Sequence, residues 1–303
     1  MEKHYYSLSE HLKERFGEKV YKLSLSGGMT CPNRDGTIGD RGCIFCSESG
    51  SGEFCADSEM SISEQIKTAK KLVKNKAKSG KFIAYFQSFS NTYAPVNYLR
   101  KIFTEAINNP EIVMLSIATR PDLLSSEVIA LLKELSLIKP VSVELGLQTM
   151  HEKTADYIRR GYSLPVFEKA VKDLKEAGIE TVVHLIIGLP NESEEEIFKT
   201  AEYVGSLGIN GVKFHMLYVV KGTDLEKDYL SGNVPLFSLE EYTRVLGECI
   251  RRIPKSVVIH RITGDGAKKD LIAPLWTADK KKVLNYINRE FERISLSQGD
   301  KAK

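Results

Sequence analysis

Short apolar segments alternate with amphipathic segments of helical period from about residue 19 to residue 220. Six of the apolar segments have the length and residue types of β-strands. They are residues 19–25, 82–87, 112–118, 141–147, 181–187 and 211–218. Strands that alternate with helices in this way predict a parallel sheet with right-handed crossover connections.

Polar residues at alternate positions of these strands distinguish a barrel from an open sheet. Glu144 and Gln148 share one face of the fourth strand, and Lys213 and His215 share one face of the sixth. Central strands of an open doubly wound sheet are apolar on both faces, whereas barrel strands can direct polar groups into a lumen. We therefore expect an α/β protein whose six βα units form a partial TIM-type barrel, open laterally, with its site at the carboxyl ends of the strands.

The predicted barrel, residues 19–220, has a segment on either side. Residues 1–18 form a helical lead-in, and residues 221–303 form a short basic α/β extension that packs on the barrel. We expect residues 294–303 to fray. The extension is predicted to contain helices near 239–252 and 278–293 and a strand at 256–262.

The charge of the chain is small in total but unevenly distributed. The net charge is +3, yet residues 251–303 contain thirteen Lys and Arg against six Asp and Glu. A second basic stretch, Lys67–Lys81, has seven lysines and no acid. Such segments form the solvated face of a helix or lie along a phosphate backbone.

The chain lacks the sequence features of membrane insertion and secretion. No run of about 18 apolar residues occurs, and residues 1–6 lack the apolar core of a signal peptide. We therefore expect a cytoplasmic location and no membrane partner. An odd number of cysteines, five, in a reducing compartment makes a disulfide framework a poor explanation for them.

Three of the five cysteines lie in one glycine-rich loop after the first strand. The spacing is Cys31-x11-Cys43-x2-Cys46, and it places the thiols at the predicted mouth of the barrel. A structural zinc site needs a fourth ligand, for which Cys55 is the nearest candidate. Three cysteines suit a [4Fe-4S] cluster that keeps one iron open for a substrate.

The loop, the strand pattern and the chain length resemble the radical S-adenosylmethionine (SAM) superfamily. Its usual spacing is C-x3-C-x2-C, but the segments "CPNRDGTIGDRGCIFC" and "SGSGEF" are similar to the YhcC-like family. That family shares a catalytic-domain type with Elongator subunit three and the anaerobic coproporphyrinogen oxidases. The resemblance implies that Cys31, Cys43 and Cys46 bind a [4Fe-4S] cluster whose open iron chelates SAM. Reductive cleavage of SAM then yields a 5′-deoxyadenosyl radical that abstracts hydrogen from the substrate.

The resemblance also implies contacts between SAM and residues near the cysteine loop. Phe45 corresponds to an aromatic residue that packs on the adenine, although a loop phenylalanine also serves as simple packing. Gln87 or Ser88 occupies the place of a glycine-rich turn that meets the SAM amino group, without the glycines. Glu144 corresponds to an acid that bonds the ribose or amino group, and Gln148 follows on its face; a buried strand carboxylate is costly unless bonded.

Other candidates have two interpretations each. Arg160 resembles an arginine near the SAM carboxylate or caps a helix, and Gly188 lies in a loop that resembles the adenine contact. His184 and His215 face the predicted lumen as SAM or substrate ligands, or as core histidines. Arg120 clamps a carboxylate or phosphate, or forms a salt bridge at the rim. Further lumen candidates are Lys213, Tyr218, His260 and Arg261, and Cys55 is an incidental thiol or a hydrogen-atom donor.

The substrate implied by the resemblance is transfer RNA. YhcC-like proteins of some bacteria are implicated in converting the carboxymethylaminomethyl group of the wobble uridine to aminomethyl. On this interpretation Arg120 holds the carboxylate of that arm and the basic carboxy-terminal segment holds phosphates. A flavodoxin or ferredoxin is the expected electron donor. The alternatives are a radical SAM enzyme with a small-molecule substrate and a non-catalytic cluster-binding module.

Overall fold

The computed structural model describes residues 4–50, 52, 55–74, 80–264, 266 and 268–302. Seven parallel strands of this part form one sheet, in the order β1-β2-β3-β4-β5-β6-β8, and β7 and β9 form a small antiparallel pair. The strands are β1 Tyr21–Leu25, β2 Phe82–Phe86, β3 Ile112–Thr119, β4 Val141–Gln148, β5 Glu180–Ile187, β6 Gly211–Met216, β7 Val219–Val220, β8 Val258–Arg261 and β9 Leu271–Ala273.

Helices follow the first five strands and cover the outer face of the sheet. Three of the described helices begin with a capping box, in which Ser61, Ser193 and Ser238 exchange hydrogen bonds with the third residue of the helix. The helices are α1 Leu8–Phe16, α2 Ile62–Val73, α3 Val96–Ile107, α4 Ser126–Ser136, α5 Glu152–Tyr157, α6 Leu164–Glu176, α7 Glu194–Ser206, α8 Asp224–Leu230, α9 Leu239–Arg252 and α10 Lys280–Arg293.

The sheet is curled into a partial barrel, as side chains from distant strands show. Lys213 of β6 donates a hydrogen bond to the hydroxyl of Tyr85 on β2, at 3.0 Å. Four strand spacings separate β2 from β6, which is about 19 Å in a flat sheet. Contact over 3.0 Å therefore requires strong curvature, and the predicted partial TIM-type barrel is confirmed.

The apolar core lies between the outer face of the sheet and the helices. Leu145 and Val183 are fully buried on this face and pack with residues of the surrounding helices, such as Phe167 of α6. Burying one such side chain contributes about 1.5–3 kcal/mol. The inner face carries the alternating polar residues, so the alternation in the sequence separates core from lumen.

The carboxy-terminal extension supplies a seventh strand to the barrel. The predicted strand at 256–262 forms β8, which pairs in parallel with β6 so that Val212 lies beside Ile259. Ser7, just before α1, forms a parallel bridge to Ile259 on the other side of β8. The sheet thus contains one strand more than the six predicted for the barrel.

The expectation that the carboxy terminus frays is wrong for residues 294–302. Gln298 is 4% exposed. Its Oε1 accepts a hydrogen bond from the Tyr6 amide at 2.8 Å, and its Nε2 donates to the carbonyls of Pro254 and Val257 at 2.7 and 2.8 Å. One buried amide side chain therefore ties both ends of the described chain to the base of β8.

Candidate functional site

The cysteine loop, residues 26–61, leaves the carboxyl end of β1 and is held by two polar side chains. The guanidinium of Arg34 donates to the carbonyls of Cys46 and Ser47 at 2.8 and 2.7 Å. The amide of Asn33 donates to the carbonyl of Arg159 at 2.7 Å, after α5. Sequence reasoning did not single out Asn33 or Arg34; their position between the cysteines was the available signal.

Gly42 allows Arg34 to lie across the loop. Its φ is 73°, in the left-handed region that favours glycine. A Cβ at this position would lie 2.8 Å from Nε of Arg34. The loop before Cys43 therefore depends on the absence of a side chain at residue 42.

The three thiols of the loop lie close enough to influence one another. Burial raises the pKa of Cys43 to about 12, and the neighbouring Cys46 and Cys31 act in the same direction. Asn33 Nδ2 lies 3.5 Å from Cys43 Sγ as a donor. None of these cysteines forms a disulfide.

This donor set fits a cluster better than a single metal ion. Among the described residues, no three Cys, His, Asp or Glu side chains are placed to hold one ion. The Cys55 Sγ lies 3.7 Å from both the Leu25 carbonyl and Gln87 Nε2. A zinc site needs donors that converge at about 2.3 Å from one point, whereas three neighbouring thiolates suit a [4Fe-4S] cluster.

The loop packs on the barrel through a second apolar cluster. The Ile44 amide donates to the Ile158 carbonyl at 3.2 Å, and the Ile44 carbonyl accepts from the Leu225 amide at 2.9 Å. Phe45 is half-buried against this cluster, which contains Ile44, Ile158, Leu189, Leu217, Val219, Leu225 and Val234. Its contact with adenine stays a prediction.

The turn after β2 lies beside the cysteine loop. Ser88 is 5% exposed, and its hydroxyl lies 3.2 Å from that of Ser26. Gln87 is half-buried and faces Cys55. The proximity of Gln87 and Ser88 to the loop is consistent with a contact to SAM, and that contact stays a prediction.

Glu144 lies at the centre of a charged network inside the lumen. It is 1% exposed. Its Oε1 accepts from Lys22 Nζ at 2.6 Å and Ser116 Oγ at 2.9 Å, and its Oε2 accepts from His184 Nε2 at 2.8 Å and from Lys213. Burial alone would raise the pKa of Glu144, but Lys213, Lys22 and His184 outweigh it and hold the pKa well below the usual range.

This network changes the interpretation of Glu144. Both carboxylate oxygens already accept two hydrogen bonds from the protein, so a contact with SAM would have to displace one of them. The lysine and hydroxyl partners were not predicted. Lys22 alternates with the buried Leu23 in β1, and this alternation was the signal that it faces the lumen.

The two strand histidines lie in the lumen, where the sequence placed them. The rings of His184 and His215 are 5.4 Å apart. Burial, with Lys213 nearby, lowers the pKa of His184 to about 4. Burial, with Arg261 nearby, lowers the pKa of His215 well below its usual value. Both rings are therefore neutral at pH 7.

The two arginines assigned to ligand binding are bonded to the protein. Arg120 forms a bidentate pair with Asp122 at 2.9 and 2.8 Å, which is the rim salt bridge considered as its alternative. Arg160 is 2% exposed and donates to the carbonyls of Thr149 and Tyr162 and to Glu152 at 2.7–3.0 Å. Arg160 therefore holds the turn after β4, and the ligand contacts of Arg120 and Arg160 stay predictions.

Backbone geometry explains two further candidates. The register of β4 against β5 shifts between Gly146 and Gln148, and Gln148 has a φ of 68°. The side chain of Gln148 folds over Gly146, and its Nε2 lies 2.7 Å from the position that a Cβ of Gly146 would take. That position is on the face of β4 that also carries Glu144. Gly188 has a φ of 89°, and the ring of Phe237 packs 3.2 Å from the position of its absent Cβ. The adenine contact predicted for Gly188 is untested.

The remaining lumen candidates lie on or beside β6 and β8. Arg261 stands next to Lys213 in the strand register. His260 approaches Gly211, with Nε2 at 2.6 Å from the position of a Cβ there. Tyr218 packs against the backbone of Gly264 instead. Lys213 therefore belongs to the lumen network, and His260 and Arg261 lie on the neighbouring strand β8.

Comparison with known proteins agrees with this geometry. The model of the radical SAM superfamily matches residues 34–204, and that of the radical SAM C-terminal domain matches residues 209–293. The chain is 42% identical to YtqA of Bacillus subtilis over 298 residues, which cover 98% of this chain and 92% of YtqA. It is 40% identical to YhcC of Escherichia coli over 270 residues, which cover 89% of this chain and 86% of YhcC.

More distant similarities extend to proteins of the Elongator type. Over 160 residues the chain is 30% identical to the tRNA uridine(34) acetyltransferase of Methanocaldococcus infernus, covering 50% of this chain and 29% of that protein. The solved structure of Elp3 from the same archaeon superposes with a TM-score of 0.71 at 19% identity, covering 92% of this chain and 64% of Elp3. At 19% identity this similarity shows a shared fold only. No helix in the described ranges is both long and apolar enough to cross a membrane.

Proposed function

Because the chain belongs to the radical SAM superfamily, we propose that it remodels a transfer RNA, converting the carboxymethylaminomethyl group of the wobble uridine to aminomethyl. The similarity to the tRNA uridine(34) acetyltransferase carries this proposal, since uridine 34 is the wobble position. The exposed basic residues of α10 support it.

The cofactors follow from the superfamily, whose members use a [4Fe-4S] cluster and SAM. Cys31, Cys43 and Cys46 would hold the cluster, with Asn33 and Arg34 fixing their loop. When bound, these cofactors supply a 5′-deoxyadenosyl radical that abstracts one hydrogen atom from the substrate. We expect a flavodoxin or ferredoxin to supply the electron, in the cytoplasm.

The glycine-like arm of the proposed substrate suits this chemistry. Loss of a hydrogen atom from the carbon between nitrogen and carboxylate gives a radical stabilised by both groups. Loss of one electron and one proton then gives an imine, and hydrolysis of the imine releases glyoxylate and leaves aminomethyluridine. Cleavage of SAM consumes one electron, and oxidation of the substrate radical releases one electron. The two balance, so the conversion needs no oxidant other than SAM.

Helix α10 has the features of a phosphate-binding element. Its first turn contains Lys280, Lys281 and Lys282 and no acid, and the side chain of Lys282 is 87% exposed. Cations at a helix amino terminus oppose the helix dipole, and of the three lysines Lys282 lies 3.8 Å from the carboxylate of the N-cap Asp279. Arg289 and Arg293, each 70% exposed and both paired with the single acid Glu290, extend the basic surface along the helix. Such a surface supports binding to an RNA backbone.

The proposal is tested with transfer RNA from cells that accumulate carboxymethylaminomethyluridine. The anaerobically reconstituted and reduced enzyme should convert this nucleoside to aminomethyluridine, measured by mass spectrometry of digested RNA. Formation of 5′-deoxyadenosine without any change in the nucleoside would direct the search to small-molecule substrates.

A matched pair of variants tests the RNA-binding surface. Replacing Lys280, Lys281 and Lys282 by glutamine should raise KM for transfer RNA about tenfold at low salt and flatten its salt dependence. The control replaces Lys169 and Lys172, both 75% exposed on α6, and should leave KM unchanged. Equal effects in both variants would contradict binding through α10.

A further inference from the structure

Eleven residues separate Cys31 from Cys43, and a backbone contact closes this long gap. The amide of Gly42, just before Cys43, donates to the carbonyl of Asn33 at 2.6 Å. Asn33 follows Cys31 by two residues, so this hydrogen bond brings the start and the end of the gap together. The side chain of Asn33 is thereby placed beside the second cysteine.

The side chain of Asn33 is buried, and its contacts fix the orientation of its amide. The residue is 4% exposed. Its Nδ2 lies 2.7 Å from the Arg159 carbonyl and 3.3 Å from the Arg160 carbonyl. A carbonyl oxygen only accepts hydrogen bonds, so the amide must turn its nitrogen, and not its oxygen, to this side. The same nitrogen lies 3.5 Å from Sγ of Cys43.

Two residues beside Asn33 have backbone conformations that make room for this arrangement. Gly161 has a φ of 79°, and a Cβ there would lie 2.6 Å from Oδ1 of Asn33. Arg159 has a φ of 56°, which is strained for a residue with a side chain and persists only where the surrounding structure holds it. Because the carbonyl of Arg159 accepts from Asn33, this strained residue takes part in placing the amide beside Cys43.

The second N–H of Asn33 is available to the sulfur of Cys43. The amide has two N–H groups, and the Arg159 carbonyl, its nearest acceptor, takes one of them. The Arg160 carbonyl already accepts from the guanidinium of Arg120 at 2.9 Å. Within the described ranges, no other group donates a hydrogen bond to Cys43 Sγ.

This donor suits the form in which Cys43 binds iron. A cysteine binds iron as a thiolate, whose sulfur only accepts hydrogen bonds. The contact of Cys43 Sγ with the Arg159 carbonyl at 3.5 Å needs an S–H group, whereas the contact with Asn33 does not. Hydrogen bonds to the sulfurs are among the factors that set the reduction potential of a [4Fe-4S] cluster. The reduced cluster carries one more negative charge, so a donor favours the reduced form.

We propose that Asn33 is a positioning residue that donates a hydrogen bond to Cys43 Sγ and thereby raises the reduction potential of the cluster. The electron that SAM cleavage requires is then transferred more easily. This role concerns the cluster alone and is the same whether or not the substrate is transfer RNA. Arg34 also holds the loop, but it bonds the carbonyls of Cys46 and Ser47 instead of a sulfur.

The test is an anaerobic potentiometric titration of the holoprotein without SAM, in which electron paramagnetic resonance measures the reduced cluster. Asn33→Leu removes the N–H donor and keeps a neutral side chain of similar size. At the potential that reduces half of the wild-type clusters, the ratio of reduced to oxidised cluster should be about tenfold lower in Asn33→Leu, which is about 59 mV for a one-electron couple. An unchanged ratio at wild-type iron content would overturn the proposal.

Arg34→Lys is the matched control, because it keeps the positive charge but changes the contacts that hold the loop. Its ratio of reduced to oxidised cluster, measured at the same potential, should stay within about twofold of the wild-type ratio. Equal shifts of the potential in Asn33→Leu and Arg34→Lys would indicate a general effect of the loop and would overturn the role of Asn33.

A second measurement uses the wild type and keeps the test decisive where Asn33→Leu fails to retain iron. The protein is produced with asparagine that carries ¹⁵N in the side-chain amide, and its cluster is reduced without SAM. Pulsed electron paramagnetic resonance should show a coupling between the unpaired electron of the cluster and ¹⁵N. The absence of that coupling would place the amide too far from the sulfur and would refute the hydrogen bond.

Discussion

Replacing Glu144 by glutamine removes one charge from the lumen network while keeping the size of the side chain. In the wild type the carboxylate faces Lys213, 5% exposed in its side chain, and Lys22, 21% exposed. Without the carboxylate, two ammonium groups share the network without a counter-charge. Removing one partner of a buried ion pair costs about 3–5 kcal/mol, a large part of a typical stability of about 5–15 kcal/mol.

The assay is anaerobic guanidinium unfolding followed by circular dichroism. Glu144→Gln should lower the free energy of unfolding by about 3–5 kcal/mol. Glu194→Gln is the control, since the Glu194–Arg244 pair is 41% and 55% exposed and solvent screens it; its loss should stay below about 1 kcal/mol. The double variant Glu144→Gln/Lys213→Met should regain part of the loss, because it removes one unpaired ammonium. Equal losses in the two single variants would refute the role of Glu144 as the counter-charge of the lumen.

Three further predictions concern the lumen histidines, His184, His215 and His260, and the cysteine loop. Burial lowers the pKa of all three rings, so the unfolded chain takes up protons before the folded protein does as pH falls through about 6.5. The free energy of unfolding should therefore be lower at pH 5 than at pH 7, by up to about 2 kcal/mol per ring. A pH-independent free energy of unfolding would contradict this. Gly42→Ala, which forces Arg34 away, should lower bound iron per chain more than Gly36→Ala does, because Gly36 has a similar positive φ but open space around its Cβ. Cys55→Ala should keep the iron content that Cys43→Ala loses; an equal loss would make Cys55 a ligand.

The curled sheet was predictable because its determinants are local. Alternation of polar and apolar residues, as in Glu144 between Val143 and Leu145, fixes which face of a strand is buried. The seventh strand was recognisable as a strand, but its place beside β6 depends on pairing between residues 47 positions apart, Val212 and Ile259. Chain order alone does not reveal such pairing.

The cysteines were predictable from spacing, whereas the tasks of the arginines were not. The residue type shows that a guanidinium binds oxygen atoms. It does not show whether those atoms belong to a ligand or to the protein itself. Arg120 finds Asp122 two residues away, and Arg160 finds carbonyls at the end of β4. Gln298 gave no signal at all, because its partners at Tyr6 and Val257 are brought near only by the finished fold.

The most direct test of the account follows one hydrogen atom. The reduced enzyme is given SAM and an anticodon stem–loop whose carboxymethylaminomethyl arm carries deuterium on the carbon next to the carboxylate. We predict that 5′-deoxyadenosine gains one deuterium and that the RNA then carries aminomethyluridine. Unlabelled 5′-deoxyadenosine, formed at the same rate without the RNA, would contradict it.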